Sequence, residues 1–188
     1  MQTEKQYDYN QETLVQLKEF FANQVPVEIK KGEAFLNYGE PNRKLGILME
    51  GLMYATYVSD SGQEWISRFF YPPGNSVLSS HDSFLSGENS TESIRAYEDS
   101  KYIFIEKKEF DALLKESTKL QHLVRLMAEE SYVRAMKRVH MLQSLTASQR
   151  VKRFMEEHSS LVNRVQRQHI ASYLGIHRNI FTRILNKI

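Results

Sequence analysis

The sequence predicts an α+β protein that consists of an N-terminal sandwich or barrel of short strands (the roll), a long helix and a C-terminal helix-turn-helix domain. Three observations support this fold class. Glycines alternate with short apolar runs from about residue 27 to 105, residues 108–144 contain no Gly or Pro, and a basic segment with helical spacing follows. We therefore expect domains at residues 1–107, 108–144 and 145–188, the first of which includes a short N-terminal helix.

The sandwich or barrel is predicted from short runs that are rich in β-branched, aromatic and other apolar residues and are separated by turn residues. These runs are residues 45–49, 52–58, 65–70, 94–97 and 102–105. Asp60-Ser61-Gly62 is a predicted hairpin turn, because glycine adopts the positive φ that such turns need. Residues 79–91 are polar and hold few strand-forming residues, which predicts a long surface excursion.

Helical segments are predicted on both sides of the roll. The first is indicated by apolar residues at helical spacing, namely Leu14, Leu17, Phe20 and Phe21. The second, residues 108–144, carries two apolar rows: Leu120, Val124, Met127, Ala135, Val139 and Leu142, and beside them Leu123, Leu126, Val133 and Met136. Two rows indicate two packing partners, which we expect to be the roll and a second copy of the chain. The chain would then form a homodimer through residues 108–144; the alternative is a helix wholly buried within one subunit.

Composition excludes several classes of protein. No apolar run approaches the roughly 18 residues that a membrane span needs. The first residues, MQTEKQYDYNQETL, are polar and acidic, unlike a secretory signal. The sequence contains no cysteine, which removes thiolate metal ligands and cysteine nucleophiles. We expect a cytoplasmic protein that does not associate with membranes.

Charge is distributed unevenly along the chain. Residues 1–133 contain 14 Lys and Arg against 21 Asp and Glu, whereas residues 134–188 contain 11 against 2. A basic tail on an acidic body indicates a polyanionic partner bound at one end. The alternative is a basic surface that only contacts solvent.

Two local motifs organise the basic tail. Thr146-Ala147-Ser148-Gln149 matches a capping box, so a new helix is predicted to begin there after a break. Residues 167–187 then predict two helices joined by a tight turn, in which Ala171 is small where the helices cross and Gly175 supplies a left-handed residue. The expected inward positions are Ile170, Tyr173, Leu174, Ile176, Ile180 or Phe181, Ile184 and Leu185.

The outward face of the second helix predicts DNA binding. Arg178, Asn179 and Arg183 are expected to contact base edges, because Arg pairs with guanine and Asn with adenine in a bidentate geometry. The residues expected to contact DNA phosphates are Gln166, Arg167, Thr182 and Lys187. The alternative is a helical hairpin with a solvated basic face.

With these motifs in view, the chain resembles the Crp/Fnr family of bacterial transcription regulators over nearly its whole length. KKGEAFLNYGE, LMEGLMYATYVSDSGQE and YPPGNSV are similar to the β-roll of that family, a jelly roll of the cyclic-nucleotide-binding type. The helix after Lys108 resembles its dimerisation helix, and IASYLGIHRNIFTRIL resembles its recognition unit. The resemblance implies a homodimer that binds a two-fold site on double-stranded DNA, with RNA polymerase as a further partner. The short C-terminus resembles a wingless form within the family.

One departure from the family pattern concerns the effector. Members that bind a cyclic nucleotide use a Gly-Glu pair for the ribose and an Arg-Ser pair for the phosphate, and the matching positions here are Ser79-Ser80 and Ser90-Thr91. No Arg lies between Arg68 and Arg95, so no Arg of that excursion is placed to pair with a buried phosphate. We therefore expect that cyclic AMP is not the natural ligand. The four hydroxyls either bind another small-molecule effector or only belong to a surface loop.

Two other functional classes remain as alternatives. A cupin-type metalloenzyme would also be a small antiparallel barrel, but it needs clustered His and carboxylate ligands, and the roll contains only His81. We therefore expect no metal, no cofactor and no enzymatic activity. The second alternative is a small-molecule-sensing or oligomerisation module without DNA binding. Steep salt dependence of binding would distinguish a DNA-binding protein from that module.

Overall fold

Eight strands form the N-terminal part of the chain. The computed structural model describes residues 11–59, 62–73 and 75–187, with side chains from residue 15 onward. The strands are β1 (Val27–Ile29), β2 (Ala34–Leu36), β3 (Lys44–Glu50), β4 (Met53–Val58), β5 (Glu64–Phe70), β6 (Val77–Leu78), β7 (Glu92–Ala96) and β8 (Ser100–Glu106). They pair into two antiparallel four-stranded sheets, with strand orders β1-β8-β3-β6 and β2-β7-β4-β5. The predicted antiparallel β-roll is confirmed.

All five apolar runs predicted as strands form strands, and three further strands were missed. The missed strands β1, β2 and β6 have only three, three and two residues, too few for an alternating pattern to be recognised. The predicted hairpin forms, since β4 and β5 pair antiparallel up to Val58 opposite Glu64. Asp60 and Ser61 of its turn lie outside the described residues.

Apolar side chains of both sheets pack together in one buried cluster, and two of the helices contribute to a second cluster with residues of β3, β6 and β8. The helices are α1 (Gln11–Glu19) and the first part of α4 (Thr118–Ser144). Leu17 and Phe21 pack in one buried cluster with Leu120 and Met127. The short helix predicted from apolar spacing is therefore confirmed, and the roll is the packing partner of the first part of the long helix.

The expectation of one continuous helix over residues 108–144 is wrong. The structure has α3 (Lys107–Glu116) and α4, separated at Ser117, whose backbone is extended at φ −118° and ψ 106°. The Ser117 hydroxyl accepts a hydrogen bond from the Leu120 backbone N–H at 3.1 Å, so it caps the start of α4. The break carries neither Gly nor Pro, the two residue types on which the prediction relied.

Most of the large apolar residues in the second part of α4 are exposed. Internal contacts divide the chain into two units with the boundary between Glu130 and Ser131, within this helix. Beyond that boundary the exposed large apolar side chains on α4 are Tyr132, Val133, Met136, Val139 and Leu142. The spacing places most of them along one side of the helix.

The second unit contains only helices among its regular elements over described residues 131–187. They follow α4 as α5 (Ala147–Glu157), α6 (Ser159–Val162), α7 (Arg167–Tyr173) and α8 (Arg178–Leu185). The predicted capping box at the start of α5 is confirmed: Thr146 accepts from the Gln149 N–H at 3.3 Å, and the Gln149 side chain accepts from the Thr146 N–H at 2.9 Å. The predicted start of a new helix near residue 146 is therefore correct.

Candidate nucleic-acid interface

Helices α7 and α8 pack against each other across a tight turn at Gly175. Gly175 has φ +62°, and the Gly175 and Ile176 N–H groups donate to the carbonyls of Ser172 and Ala171, each at 3.0 Å. An L-residue with a side chain rarely adopts this left-handed conformation. The glycine predicted for the turn is therefore at the position that requires it.

The inward side of this hairpin is closed by apolar residues. Ile170, Ala171 and Leu174 of the first helix are buried, as predicted. On the second helix the prediction left Ile180 and Phe181 open; Phe181 is fully buried, whereas Ile180 is half-buried. Helix α5 also packs against α8, so Phe181 lies in the core of a three-helix arrangement.

The predicted base-contacting residues lie on the exposed side of α8. Arg178, Asn179 and Arg183 are all exposed. Within residues 11–59, 62–73 and 75–187, neither arginine forms an ion pair. Asn179 and Arg183 are four residues apart and therefore neighbours on one side of the helix. Two unpaired guanidinium groups and an amide thus face solvent together.

The predicted phosphate-contacting residues are less uniform. Gln166 and Arg167 are exposed at the start of α7, and Lys187 is exposed beyond α8. Thr182 is half-buried, so its hydroxyl is less accessible than the three other side chains. Gln166 also accepts a hydrogen bond from the Gln168 side chain at 3.0 Å.

The carboxylates of the second unit lie on α5 and are paired there. Arg153 binds Glu157 at 2.7 Å, and Lys152 lies 4.0 Å from Glu156. Residues 158–188 contain no Asp or Glu. The positive charge of α7 and α8 is therefore not neutralised by carboxylates of their own, which favours attraction of a polyanion.

Two arginines that were not identified from the sequence hold the end of α7. Arg138 of α4 donates from Nη2 to the Tyr173 carbonyl and lies 4.0 Å over the Tyr173 ring. Arg150 of α5 donates from Nη1 to the Leu174 carbonyl at 2.7 Å. Cations favour the C-terminal end of a helix, where carbonyls lack partners within the helix. The turn before α8 is thus held from two neighbouring helices.

His158 lies beside this contact, in an aromatic environment. Its ring is 5.0 Å from the Phe154 ring and 6.0 Å from the Tyr173 ring. Burial, and secondly the charge of Arg138, lowers the pKa of His158 from 6.5 to about 4. The folded protein therefore keeps this imidazole neutral at pH values where the unfolded chain is protonated.

Stability is expected to fall as the pH is lowered from about 6.5 to about 4, because only the unfolded state takes up the His158 proton in that range. A difference of this size corresponds to at most about 3 kcal/mol, present in full above pH 7. Urea unfolding between pH 7.5 and 4.5 measures it. The pH dependence should be reduced in His158→Gln and retained in His140→Gln, which changes an exposed histidine of the same unit. Identical pH profiles for wild type and His158→Gln would contradict the assignment.

The predicted effector residues are mostly buried, in contrast to the predicted surface excursion. Ser79, Ser80 and Ser90 are buried at the two ends of a segment that includes α2 (His81–Ser86), and only Thr91 is exposed. Ser79 Oγ lies 2.9 Å from the Asn42 side-chain amide, and Ser90 Oγ lies 2.9 Å from Ser80 Oγ. The serines therefore form hydrogen bonds with one another and with the roll. Their burial depends on how the chain folds, which the polar composition of the segment did not indicate.

An arginine from outside this segment reaches it, a contact that the sequence expectation did not consider. Arg68 of β5 donates from Nη2 to the Ser79 carbonyl at 3.0 Å and forms an ion pair with Glu92 of β7. Burial raises the pKa of Glu92, and Arg68 opposes that effect. Counting arginines only between residues 68 and 95 missed this contact. The sequence did hold one indication of this contact. Glu92 alternates with Ile94 and Ala96 along β7, so it lies on the same inward side as these two apolar residues.

The other places where a ligand or metal ion could bind give less support to a specific function. An open cavity of about 820 Å³ is lined by Asn42, Gly87, Lys107 and Asp111 among others, and none of the four predicted effector residues lines it. In the described part of the chain, no three His, Cys, Asp or Glu residues are grouped to hold a metal ion, and no helix there could cross a membrane. His81 begins α2 and is not on a strand.

Comparisons with known proteins identify the class of domain. Residues 26–117 match the family model of the cyclic nucleotide-binding domain. No curated protein matches the chain in sequence. Among solved structures, the chain is similar to FixK2 from Bradyrhizobium japonicum, with 20% identity and a TM-score of 0.73, over 87% of this chain and 83% of that chain.

Two further structures are similar over most of their length. The c-di-GMP-responsive global regulator CLP of Xanthomonas campestris has 15% identity and a TM-score of 0.73, over 93% of this chain and 90% of that chain. A protein from Eubacterium rectale assigned to the crp/fnr family of transcriptional regulators has 20% identity and a TM-score of 0.68, over 90% and 81%. The roll is thus of the cyclic-nucleotide-binding type, and the predicted resemblance to Crp/Fnr regulators is confirmed for the fold.

Proposed function

We propose that this protein is a DNA-binding transcription regulator of the Crp/Fnr type. The observation that carries the proposal is the exposed face of α8, where Arg178, Asn179 and Arg183 face solvent without carboxylate partners. Helices α7 and α8, joined by the Gly175 turn, correspond to a helix-turn-helix in which the second helix enters the major groove. Arg167 and Lys187 flank this face and would contact phosphates, with Gln166 and Thr182 as weaker contributors.

The protein would act as a homodimer through α4. A monomer leaves Tyr132, Val133, Met136 and Val139 exposed along one side of this helix, and apolar surface of that kind favours burial against a second copy. A symmetric dimer would present two copies of α8 to half-sites about one helical turn of DNA apart. The two-fold operator, contact with RNA polymerase and a cytoplasmic location complete this proposal.

Selection of bound fragments from genomic DNA by the purified protein tests the proposal most directly. We expect recovered fragments to share a palindrome, and affinity for it to fall steeply as salt is raised. A module that senses small molecules or oligomerises without binding DNA would recover no common sequence. Fragments sharing a single, non-repeated half-site would contradict the two-fold arrangement alone.

Replacing Arg178 or Arg183 with Ala is expected to cost about 1–3 kcal/mol of binding free energy for the recovered site, because a bidentate contact to a base edge is lost. Fluorescence anisotropy with the specific duplex and with a scrambled duplex measures the effect. Lys152→Ala is the matched control, because it removes the same charge from α5 of the same unit. Equal losses on both duplexes would mean that the two arginines contact only phosphate.

A further inference from the structure

A buried carboxylate lies beside the serine segment of the roll. Glu92 follows Ser90-Thr91 directly, and its side chain is 2% exposed. Its backbone N–H donates to Ser90 Oγ at 3.2 Å, and Ser67 Oγ lies 3.4 Å from the carboxylate. The Ser80 side chain, one of the four predicted effector residues, also forms a hydrogen bond with the carboxylate.

Arg68 supplies the opposite charge from the neighbouring part of the sheet. Its Nη2 contacts Glu92 Oε1 and also donates to the Ser79 carbonyl at 3.0 Å, so it bridges the two ends of the serine segment. The Arg68 side chain is 30% exposed, whereas Glu92 is enclosed. A guanidinium with hydroxyl neighbours is a typical anion receptor, and here a carboxylate of the same chain occupies it.

We infer that Glu92 is a specificity-determining residue that acts as a built-in anion, occupies the Arg68 guanidinium and excludes phosphate-bearing effectors from the roll. An anionic ligand would have to displace a carboxylate that is already paired, and would leave that charge buried without a partner. Removing the Glu92 charge would expose an anion site formed by Arg68 and the surrounding hydroxyls. This inference rests on the proposed function only for its regulatory meaning.

Variants at residues 68, 82 and 92 test the inference. Glu92→Gln removes the charge and keeps the shape, Arg68→Gln/Glu92→Gln also removes the receptor, and Asp82→Asn is the matched control. Asp82 is a nearby exposed carboxylate that accepts from Ser80 Oγ at 2.7 Å and forms no ion pair with Arg68. Inorganic phosphate and cyclic AMP are titrated into each protein by calorimetry. The two probes distinguish a bare phosphate from a nucleotide phosphodiester.

The wild type and Asp82→Asn are expected to show no saturable binding of either anion. Glu92→Gln is expected to bind at least one of them at least tenfold more tightly, and the double variant to lose that gain. Saturable binding of either anion by the wild type would overturn the inference. So would a Glu92→Gln protein that gains no affinity, or a gain that persists without Arg68.

Thermal melting keeps the test decisive if Glu92→Gln is destabilised. Binding of phosphate to the folded state raises the melting temperature, whereas potassium chloride at equal ionic strength controls for salt. Trp65, the single tryptophan, reports the unfolding transition of the roll. It lies on β5 and pairs with Tyr57 of β4, which pairs on its other side with Glu92 of β7. No phosphate-specific rise for Glu92→Gln overturns the inference. None of these measurements involves DNA, so their outcome neither supports nor contradicts the DNA-binding proposal.

Discussion

Replacing Met136 with Glu is expected to separate the proposed homodimer and to weaken binding to the proposed operator by about 100-fold or more. Met136 lies on the exposed apolar side of α4 with 48% of its surface accessible, between Tyr132 and Val139. In a symmetric dimer two carboxylates would be buried near each other in an apolar interface, which costs several kcal/mol. A monomer would also lose the advantage of binding two half-sites together. Analytical ultracentrifugation and anisotropy on the palindrome measure the two effects.

Ser148→Glu is the control for this substitution. It adds the same charge at an exposed position of α5, away from the apolar side of α4. We expect it to remain dimeric and to bind the operator with little change. A dimeric Met136→Glu protein with wild-type affinity would exclude this side of α4 as the dimer interface.

Replacing Gly51 with Ala is expected to lower the free energy of unfolding by about 3 kcal/mol or more. Gly51 has φ +100°, and a Cβ added there would lie 2.1 Å from Ser100 Oγ and 2.8 Å from Ser100 Cα. Backbone strain and overlap with a neighbouring strand therefore add together. Ser100 cannot move away easily, because its hydroxyl accepts from the Leu52 N–H at 3.2 Å. Urea unfolding of the purified variant measures the loss.

Gly39→Ala separates the two contributions. Gly39 has a similar φ of +80°, but an added Cβ would meet no atom within 4 Å. Only backbone strain remains, so we expect a loss of about 1–2 kcal/mol. Equal losses for the two variants would show that the contact with Ser100 carries no cost.

The fold was predictable from the sequence where one local pattern determined the structure. Five apolar runs, the capping box at Thr146 and the Gly175 turn all depend on residues close to one another in the chain. The break at Ser117 was not predicted, because a serine cap is locally indistinguishable from a serine on the surface of a helix. Strands of two or three residues hold too few positions for a period to be detected.

The residues of the candidate sites were likewise predictable only where local spacing along the chain determined their position. Exposure of Arg178, Asn179 and Arg183 followed from helical spacing, whereas the Arg68–Glu92 pair joins residues 24 positions apart on strands that are not adjacent in sequence. Arg138 and Arg150 likewise bind carbonyls 35 and 24 residues away. Contacts of this kind depend on tertiary packing, and no spacing rule in a single sequence specifies them.

The contacts of Arg138 and Arg150 have a consequence for local unfolding. The turn that precedes α8 is held through main-chain carbonyls by arginine side chains of α4 and α5. Fraying of α7 and α8 would break both contacts at the same time. The hairpin and the last turns of α4 should therefore open as one cooperative unit. Amide protons in α7 should exchange with solvent in step with those near Arg138.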